Sequence, residues 1–185
     1  MRLYLKLRKS NETVPFDYQH LLTGTLHKWI GKENKEHGEV SMYSFSWLQN
    51  TSASQIGINL SHDSYFFISA YDQGLIKLIL SGILKEPYLF NGVFVKDVQI
   101  VEPPVFESKQ KFMLGSPVFI KRRDKGKEMH ILFDNEESNS CLTETLKKKL
   151  AIAGLATDGV EVRFDSNYIN PKTKLVDYKG IRNRV

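Results

Sequence analysis

The order in which two hydrophobic periods alternate along residues 1–101 is the strongest constraint on how this chain can fold. Residues 1–8 place a leucine at every second position, which is typical of a strand with one buried face. Residues 15–33 instead place large apolar side chains on one stripe at about 100° per residue, which predicts an amphipathic helix. The predicted core-facing stripe of this helix consists of Tyr18, Leu22, Leu26 and Trp29.

The rest of this segment extends the alternation of strands and helices. Three further strands are predicted at 42–48, 56–60 and 65–70. The last two are expected to form a hairpin that turns at 62–64. A second helix is predicted at 72–84 with Asp72 as its N-cap. A strand or hairpin at 88–101, built around the tight-turn pair Asn91-Gly92, completes the order β-α-β-β-α-β of the ferredoxin-like fold.

Glu102-Pro103-Pro104 is a stiff connector, and it predicts two domains at 1–101 and 105–185. Beyond it, strands are expected at 112–120, 128–133 and 160–165. A helix is expected at 143–153, and one more strand begins at 175. No residues remain for the last helix and strand of a second ferredoxin-like unit. The expected fold class is therefore α+β, with tandem ferredoxin-like domains carrying their helices on one face of antiparallel sheets and with the second domain incomplete.

The charge of the chain favours an anionic partner. Its net charge is +5, and residues 101–185 carry 16 Lys and Arg against 12 Asp and Glu, whereas residues 1–100 carry 10 against 9. Nucleic acid is the commonest partner of a basic domain, and a Lys-rich surface that serves solubility is the alternative. The single cysteine, Cys141, excludes an intramolecular disulfide and a cysteine-based zinc site. We expect a cytoplasmic protein with no membrane partner, no metal and no cofactor.

Histidines and lysines cluster on and after the first helix, with His20 and His27 on the stripe opposite its core face. The cluster consists of His20, His27 and His37 with Lys28, Lys32 and Lys35 between them. Histidine suits proton transfer near neutral pH, and RNA carries its own nucleophile in the 2′-hydroxyl, so metal-free cleavage needs only a base, an acid and a cation. Gly24 and Gly31 lie on the same stripe as His20 and His27, and close approach of another backbone, from protein or RNA, would explain them. Exposed residues without a chemical role are the alternative.

The densest positive segment is the predicted turn at 121–127, with five cations in seven residues. These are Lys121, Arg122, Arg123, Lys125 and Lys127. Between two strands such a turn projects from a sheet edge and can meet phosphates. An ordinary charged hairpin tip has the same composition. Arg163 is expected to add a further phosphate contact.

Several short motifs resemble the Cas-six family of CRISPR RNA-processing endoribonucleases, in the RAMP superfamily. They are Val14-Pro15-Phe16-Asp17-Tyr18, Leu22, Gly24, Leu26, His27, His37-Gly38, Tyr43-Ser44-Phe45-Ser46, Phe66-Phe67-Ile68-Ser69, 98–103, Phe112 and Ser116-Pro117-Val118. The resemblance covers nearly the whole chain. It implies tandem ferredoxin-like folds and metal-independent cleavage of CRISPR repeat RNA, from pre-crRNA to crRNA, by 2′-hydroxyl attack that leaves a 2′,3′-cyclic phosphate.

The resemblance also implies roles for single residues. His37 matches the commonest catalytic histidine of the family, and His27 matches a tyrosine of some members. A lysine of some members would fall near Ser41, so that its role is missing here or passes to Lys35 or Lys32. The glycine-rich phosphate-binding loop of the family has no counterpart in residues 150–185. Lys28 and Lys32, with the basic turn, complete the expected RNA contacts.

Two alternatives to a repeat-RNA endoribonuclease stay open. One is a non-cleaving RNA-binding module of a CRISPR complex or larger fusion, with other CRISPR effector subunits or a fused domain as partners. The other is a ferredoxin-like regulatory or protein-interaction domain, which would bind RNA only non-specifically.

Overall fold

The computed structural model describes residues 1–31, 40–124, 126–178 and 181–184. The chain divides into two compact units, Met1–Ser116 and Pro117–Val185. The connector Glu102-Pro103-Pro104 therefore lies inside the first unit rather than between the two. Gly115 shows why residues after the connector stay with this unit, because its carbonyl accepts hydrogen bonds from the Trp47 backbone N–H (3.0 Å) and from Gln49 Nε2 (2.9 Å).

The first unit is an antiparallel sheet with two helices on one face. Its elements are β1 (Arg2–Leu7), α1 (Gln19–Ile30), β2 (Tyr43–Phe45), β3 (Gln49–Ala53), β4 (Ile58–Ala70), α2 (Gln73–Lys85) and β5 (Val95–Val101). The strand order is β2-β4-β1-β5, and β3 pairs with β4 as an addition. Without β3 this is the predicted β-α-β-β-α-β fold, so the α+β class is confirmed.

The predicted core stripe of α1 is buried. Tyr18, Leu22, Leu26 and Trp29 pack against the alternating leucines of β1. The helix begins at Gln19, four residues later than predicted, and its predicted end at 33 lies outside the described residues. Helix α2 begins as predicted, since the Asp72 carboxylate accepts a 2.8 Å hydrogen bond from the Gly74 N–H.

The two helices approach each other most closely at Gly82 of α2. A Cβ placed on this glycine would lie 2.5 Å from Trp29 Cα and 2.6 Å from Trp29 O, which is closer than real Cβ atoms come to other atoms. Backbone contact between α1 and α2 therefore requires glycine at position 82. The Trp29 ring is fixed beside this contact, because its Nε1 donates a 2.8 Å hydrogen bond to Glu86 O.

The predicted hairpin turning at 62–64 is wrong. Residues Ile58–Ala70 form one continuous strand, and the hairpin joins β3 to β4 before it. Hydroxyl groups explain why a polar run can lie within a strand, because Ser61 Oγ and Ser64 Oγ both donate to Asn50 O (3.2 and 2.8 Å) where the β3–β4 register shifts. By contrast the Asn91-Gly92 turn is confirmed, and both residues have positive φ.

The second unit contains two hairpins and one helix. Its elements are β6 (Ile120–Asp124), β7 (Lys127–Ile131), α3 (Ser138–Ile152), β8 (Leu175–Tyr178) and β9 (Ile181–Arg184). Helix α3 begins five residues earlier than predicted. A small core of Ile120, Ile131 and Cys141 lies between α3 and the first hairpin.

Two strands predicted for this part of the chain are wrong. Residues 112–119 contain no strand, and the predicted strand 160–165 bonds to helix side chains instead of a strand. The Val162 N–H donates to Thr143 Oγ1 (3.0 Å), and the Phe164 N–H donates to Asn139 Oδ1 (2.9 Å). These side chains satisfy backbone groups that a neighbouring strand would otherwise have to satisfy. Among the described residues, no helix is long and apolar enough to cross a membrane.

Candidate functional site

The side of α1 opposite the core stripe carries the predicted histidines. His20 is exposed and His27 is half-buried, with Gly24 exposed between them. The His20 ring is oriented by a 2.6 Å hydrogen bond between its Nδ1 and Asp17 O. A Cβ on Gly24 would have no atom of the described residues within 4 Å outside the helix's own backbone, so no described neighbour requires this glycine. The helix therefore carries the exposed His20 imidazole and the half-buried His27 imidazole, whose Nδ1 is enclosed, on either side of the exposed Gly24.

Lys28, a predicted RNA contact, is engaged within the first unit. Its ammonium lies 2.9 Å from Glu86 Oε1 and donates to Tyr88 O (3.2 Å). The same ammonium lies 5.9 Å from the centre of the Tyr88 ring. The carboxylate compensates much of the charge that Lys28 could offer to a phosphate.

The leading catalytic predictions fall in one segment that lies outside the described residues. This segment, 32–39, contains Lys32, Lys35 and His37. Their roles therefore stay predictions. Ser41, where the resemblance would place a lysine, donates from its Oγ to Tyr43 O (3.3 Å) and holds the chain at the start of β2.

The basic turn is the β6–β7 hairpin, and the three cations of the turn whose side chains are described, Lys121, Arg122 and Arg123, are paired with carboxylates. Lys121 Nζ lies 2.6 Å and Arg123 3.6 Å from Glu128 Oε1. The hydrogen bond from Lys121, more than any other interaction, lowers the pKa of Glu128 below its usual range. Arg122 instead lies toward α3, where it donates to Cys141 O (2.9 Å) and Glu144 Oε2 (3.3 Å).

The other predicted phosphate contacts are paired or undescribed. Arg163 Nε lies 2.6 Å from Glu161 Oε1, and this hydrogen bond lowers the pKa of Glu161 and raises that of Arg163. Lys125 and the side chain of Lys127 lie outside the described residues. Exposed ion pairs of this kind are weak and screened by salt, so an incoming phosphate can replace the carboxylate. No group of three or more histidine, cysteine, aspartate or glutamate side chains among the described residues could hold a metal ion.

Sequence reasoning missed a cluster of half-buried aromatic side chains on the face of the sheet that α1 and α2 do not cover. Tyr4 of β1 lies between Tyr65 and Phe67 of β4, with ring centres 6.0 and 5.6 Å away. Arg2 lies beside them, its guanidinium 4.5 Å from the centre of the Phe67 ring. The alternation of residues in β1 could have revealed this cluster, because the leucines of β1 face the core and Tyr4 must then lie on the opposite face of the sheet.

No protein-family model and no curated protein matches the chain, whereas solved structures do. One, described as "CRISPR associated protein Cas6", is 23% identical with a TM-score of 0.75, and the match covers the whole chain and 83% of that protein. A Cas6-related gene product from Pyrococcus furiosus matches with a TM-score of 0.82 at 21% identity, again over the whole chain and 83% of that protein. A third, "An RAMP protein binding different RNA substrates", matches with a TM-score of 0.78 at 19% identity, over the whole chain and 84% of that protein.

These similarities define the class of the fold. The chain is an α+β protein with antiparallel sheets, like the Cas6 and RAMP structures that it matches. The resemblance predicted from the short motifs is thus confirmed at the level of the Cas6 and RAMP fold.

Proposed function

We propose that this protein is a Cas6-type RAMP endoribonuclease that binds CRISPR repeat RNA and cleaves it without a metal ion. The histidine face of α1, where the exposed Gly24 lies between His20 and His27 in a chain with this fold, is the observation that carries the proposal. An RNA strand lying along this face could bring its backbone close to Gly24, with the scissile phosphate between His27 and the segment 32–39.

The chemistry assigns one role to each group. A base takes the proton from the 2′-hydroxyl, whose oxygen attacks the adjacent phosphorus and closes the 2′,3′-cyclic phosphate. An acid gives a proton to the departing 5′-oxygen of the next nucleotide. His37 and His27 are the proposed pair, and Lys35 or Lys32 would stabilise the charge that develops on the phosphorane.

The proposal is tested by single-turnover cleavage of a repeat RNA at saturating protein. We expect His37→Ala to slow the chemical step by roughly 100- to 10,000-fold, and His27→Ala less, with RNA affinity nearly unchanged in both. The control is His62→Ala, an exposed histidine of β4 that is paired with Asp63 and lies outside the α1 face. Cleavage should survive excess chelator and stop when the nucleotide 5′ of the cut is a 2′-deoxynucleotide.

Cleavage of the deoxy substrate, or strict dependence on Mg²⁺, would contradict the proposed chemistry. A wild-type rate in His37→Ala would move the catalytic role to another histidine, first to His20.

A second candidate function is RNA binding without cleavage, within a CRISPR complex or a fusion. Ser41 favours it, because the resemblance matches a lysine of some members to this position, and here the side chain is a hydroxyl that donates to Tyr43 O. This alternative predicts tight binding of repeat RNA with no cleavage of any repeat under any condition. The same single-turnover assay therefore separates the two functions.

A further inference from the structure

We propose that His20 selects ribose over deoxyribose, because its Nε2 accepts a hydrogen bond from a 2′-hydroxyl of the RNA at a nucleotide other than the one that is cut. The inference deepens the proposed function and rests on it in taking RNA as the ligand of the histidine face of α1. It assigns His20 to binding and leaves the cleavage chemistry to other residues.

The hydrogen bond to the main chain decides which ring nitrogen of His20 can accept. Nδ1 lies 2.6 Å from Asp17 O, and a carbonyl oxygen only accepts, so the proton of the neutral ring lies on Nδ1. Nε2 then carries a lone pair and no proton. Since the side chain is exposed and its Nδ1 is occupied by Asp17 O, Nε2 is the nitrogen that a ligand can reach.

An unprotonated ring nitrogen can bond to only one group of an RNA backbone. The phosphate oxygens and the ether oxygens of the ribose accept hydrogen bonds and have no proton to donate. The 2′-hydroxyl does have one, and it is also the group by which a protein distinguishes RNA from DNA. A neutral His20 therefore recognises the sugar and not the charge of the strand.

The surroundings of His20 on α1 favour a sugar over a phosphate. Gly24 lies one turn further along the same stripe, is exposed, and has no described neighbour that requires a glycine, so a strand can approach the helix closely there. Residues 10–27 contain no lysine or arginine, and Asp17 is exposed beside the ring. A phosphate would thus find no cation at this end of α1.

The spacing along α1 separates this ribose from the cut. His20 and His27 lie about 10 Å apart along the helix axis. That distance corresponds to about three nucleotides of a stacked strand. The ribose bound by His20 is therefore not the one whose 2′-hydroxyl attacks the phosphorus.

The simpler explanation is that His20 only stabilises the first turn of α1, where the N-cap residue Tyr18 makes no side-chain hydrogen bond. That role uses Nδ1 alone. An asparagine can fill it, because its amide can also donate to Asp17 O while its side chain ends short of the position of Nε2. The variant His20→Asn therefore separates the two roles.

Fluorescence anisotropy with a labelled repeat RNA tests the proposal. One nucleotide at a time loses its 2′-hydroxyl, and every RNA also carries the 2′-deoxynucleotide 5′ of the cut, which prevents cleavage. At one position within about three nucleotides of the cut, the loss should weaken wild-type binding about 3- to 10-fold, as expected for one hydrogen bond. His20→Asn should weaken binding of the reference RNA by a similar factor and show no further loss at that position. His62→Asn, the control at an exposed histidine of β4, should keep the loss.

Two further measurements identify the group that His20 offers. His20→Gln should retain part of the effect at that position, because its longer side chain brings an amide oxygen near the place of Nε2. Long-range proton–nitrogen NMR spectra of the free protein at about pH 8, where histidine is ordinarily neutral, should show the His20 proton on Nδ1. A proton on Nε2 would overturn the proposal.

Binding results of three kinds would also contradict it. The first is a position effect that His20→Asn retains, and the second is an effect that follows the base instead of the 2′-hydroxyl when one base is replaced. The third is a salt slope that becomes shallower by about 0.7 in His20→Asn, because His20 would then bind a phosphate as an imidazolium.

The proposal and the proposed endoribonuclease can fail separately. The scan measures binding alone, so a position effect that is lost in His20→Asn supports the role of His20 even if the protein cleaves no repeat RNA, in which case the scan covers the whole repeat. Conversely, cleavage that depends on His37 supports the endoribonuclease even if no such position is found. Slower cleavage of bound RNA in His20→Asn, without a position effect, would make His20 a catalytic residue and overturn the assignment to binding.

Discussion

Replacement of Gly82 by alanine should destabilise the first unit, although alanine is the better helix former. The added methyl group would lie 2.5 Å from Trp29 Cα and 2.6 Å from Trp29 O. These are backbone atoms of α1, so no side-chain rotation can relieve the clash and one helix must move away from the other. Gly24→Ala is the matched control, because it makes the same change in the interior of α1, where no atom of the described residues outside the helix's own backbone would lie within 4 Å of the new Cβ.

The magnitudes follow from two opposing effects. Replacing a helix-interior glycine by alanine gains about 1 kcal/mol in helix propensity. Overpacking a well-packed contact costs about 1–3 kcal/mol. We expect a cost near the upper end, about 3 kcal/mol, because the new Cβ on the α2 backbone would clash with backbone atoms of α1. The net expectation for Gly82→Ala is a loss of about 2 kcal/mol in the free energy of unfolding. Gly24→Ala should gain up to about 1 kcal/mol, so the two variants differ in sign.

Urea unfolding followed by tryptophan fluorescence measures this effect in the first unit alone. The chain has two tryptophans, Trp29 and Trp47, and both belong to Met1–Ser116. A loss of about 2 kcal/mol should lower the urea midpoint of Gly82→Ala by roughly 1 M at an ordinary m-value. Equal or greater stability in Gly82→Ala than in Gly24→Ala would refute the close helix contact and the argument built on it.

Three further predictions concern a buried tyrosine, a helix cap and the basic turn. Burial raises the pKa of Tyr18 to about 12, so the unfolded state ionises first as pH rises above about 10. Urea titrations at rising pH should therefore show the free energy of unfolding falling by about 2–3 kcal/mol by about pH 12, and Tyr18→Phe should not show this loss. Asp72→Ala removes the 2.8 Å bond to the Gly74 N–H and should cost about 1 kcal/mol by the same assay, whereas Asp72→Asn should largely retain the cap. Replacing Arg122 and Arg123 by alanine should weaken the binding of repeat and non-repeat RNA alike and flatten the salt dependence of both in gel shifts. Loss of repeat binding alone, with an unchanged salt slope, would show instead that the turn recognises the RNA sequence.

The fold of the first unit was predictable because its signals are local and agree with one another. The buried stripe of α1, the Asp72 cap and the Asn91-Gly92 turn each depend on a few neighbouring residues, and each has the predicted structure. The hairpin at 62–64 failed for a different reason. Its serines bond to Asn50 O on a neighbouring strand, and a pairing between distant segments is not visible in local polarity.

Elements of the second unit were harder to predict because its core is small. Only Ile120, Ile131 and Cys141 form its buried cluster among the described residues, so the apolar pattern fixes few positions. The run at 160–165 has alternating character, yet its backbone bonds to Thr143 and Asn139 of α3. Helix side chains therefore make the backbone hydrogen bonds that the sequence pattern predicted a neighbouring strand would make.

The basic turn shows how secondary structure changes the meaning of a charge count. Successive side chains of a strand point to opposite faces, so Lys121 and Arg123 share one face of β6 and Arg122 has the other. Register places Glu128 directly opposite Arg123, and from there it reaches both cations of that face. Arg122 is left to bond with Glu144 and Cys141 O of α3. RNA binding by this hairpin must therefore exchange carboxylate partners for phosphates, and its net electrostatic gain is smaller than five free cations would give.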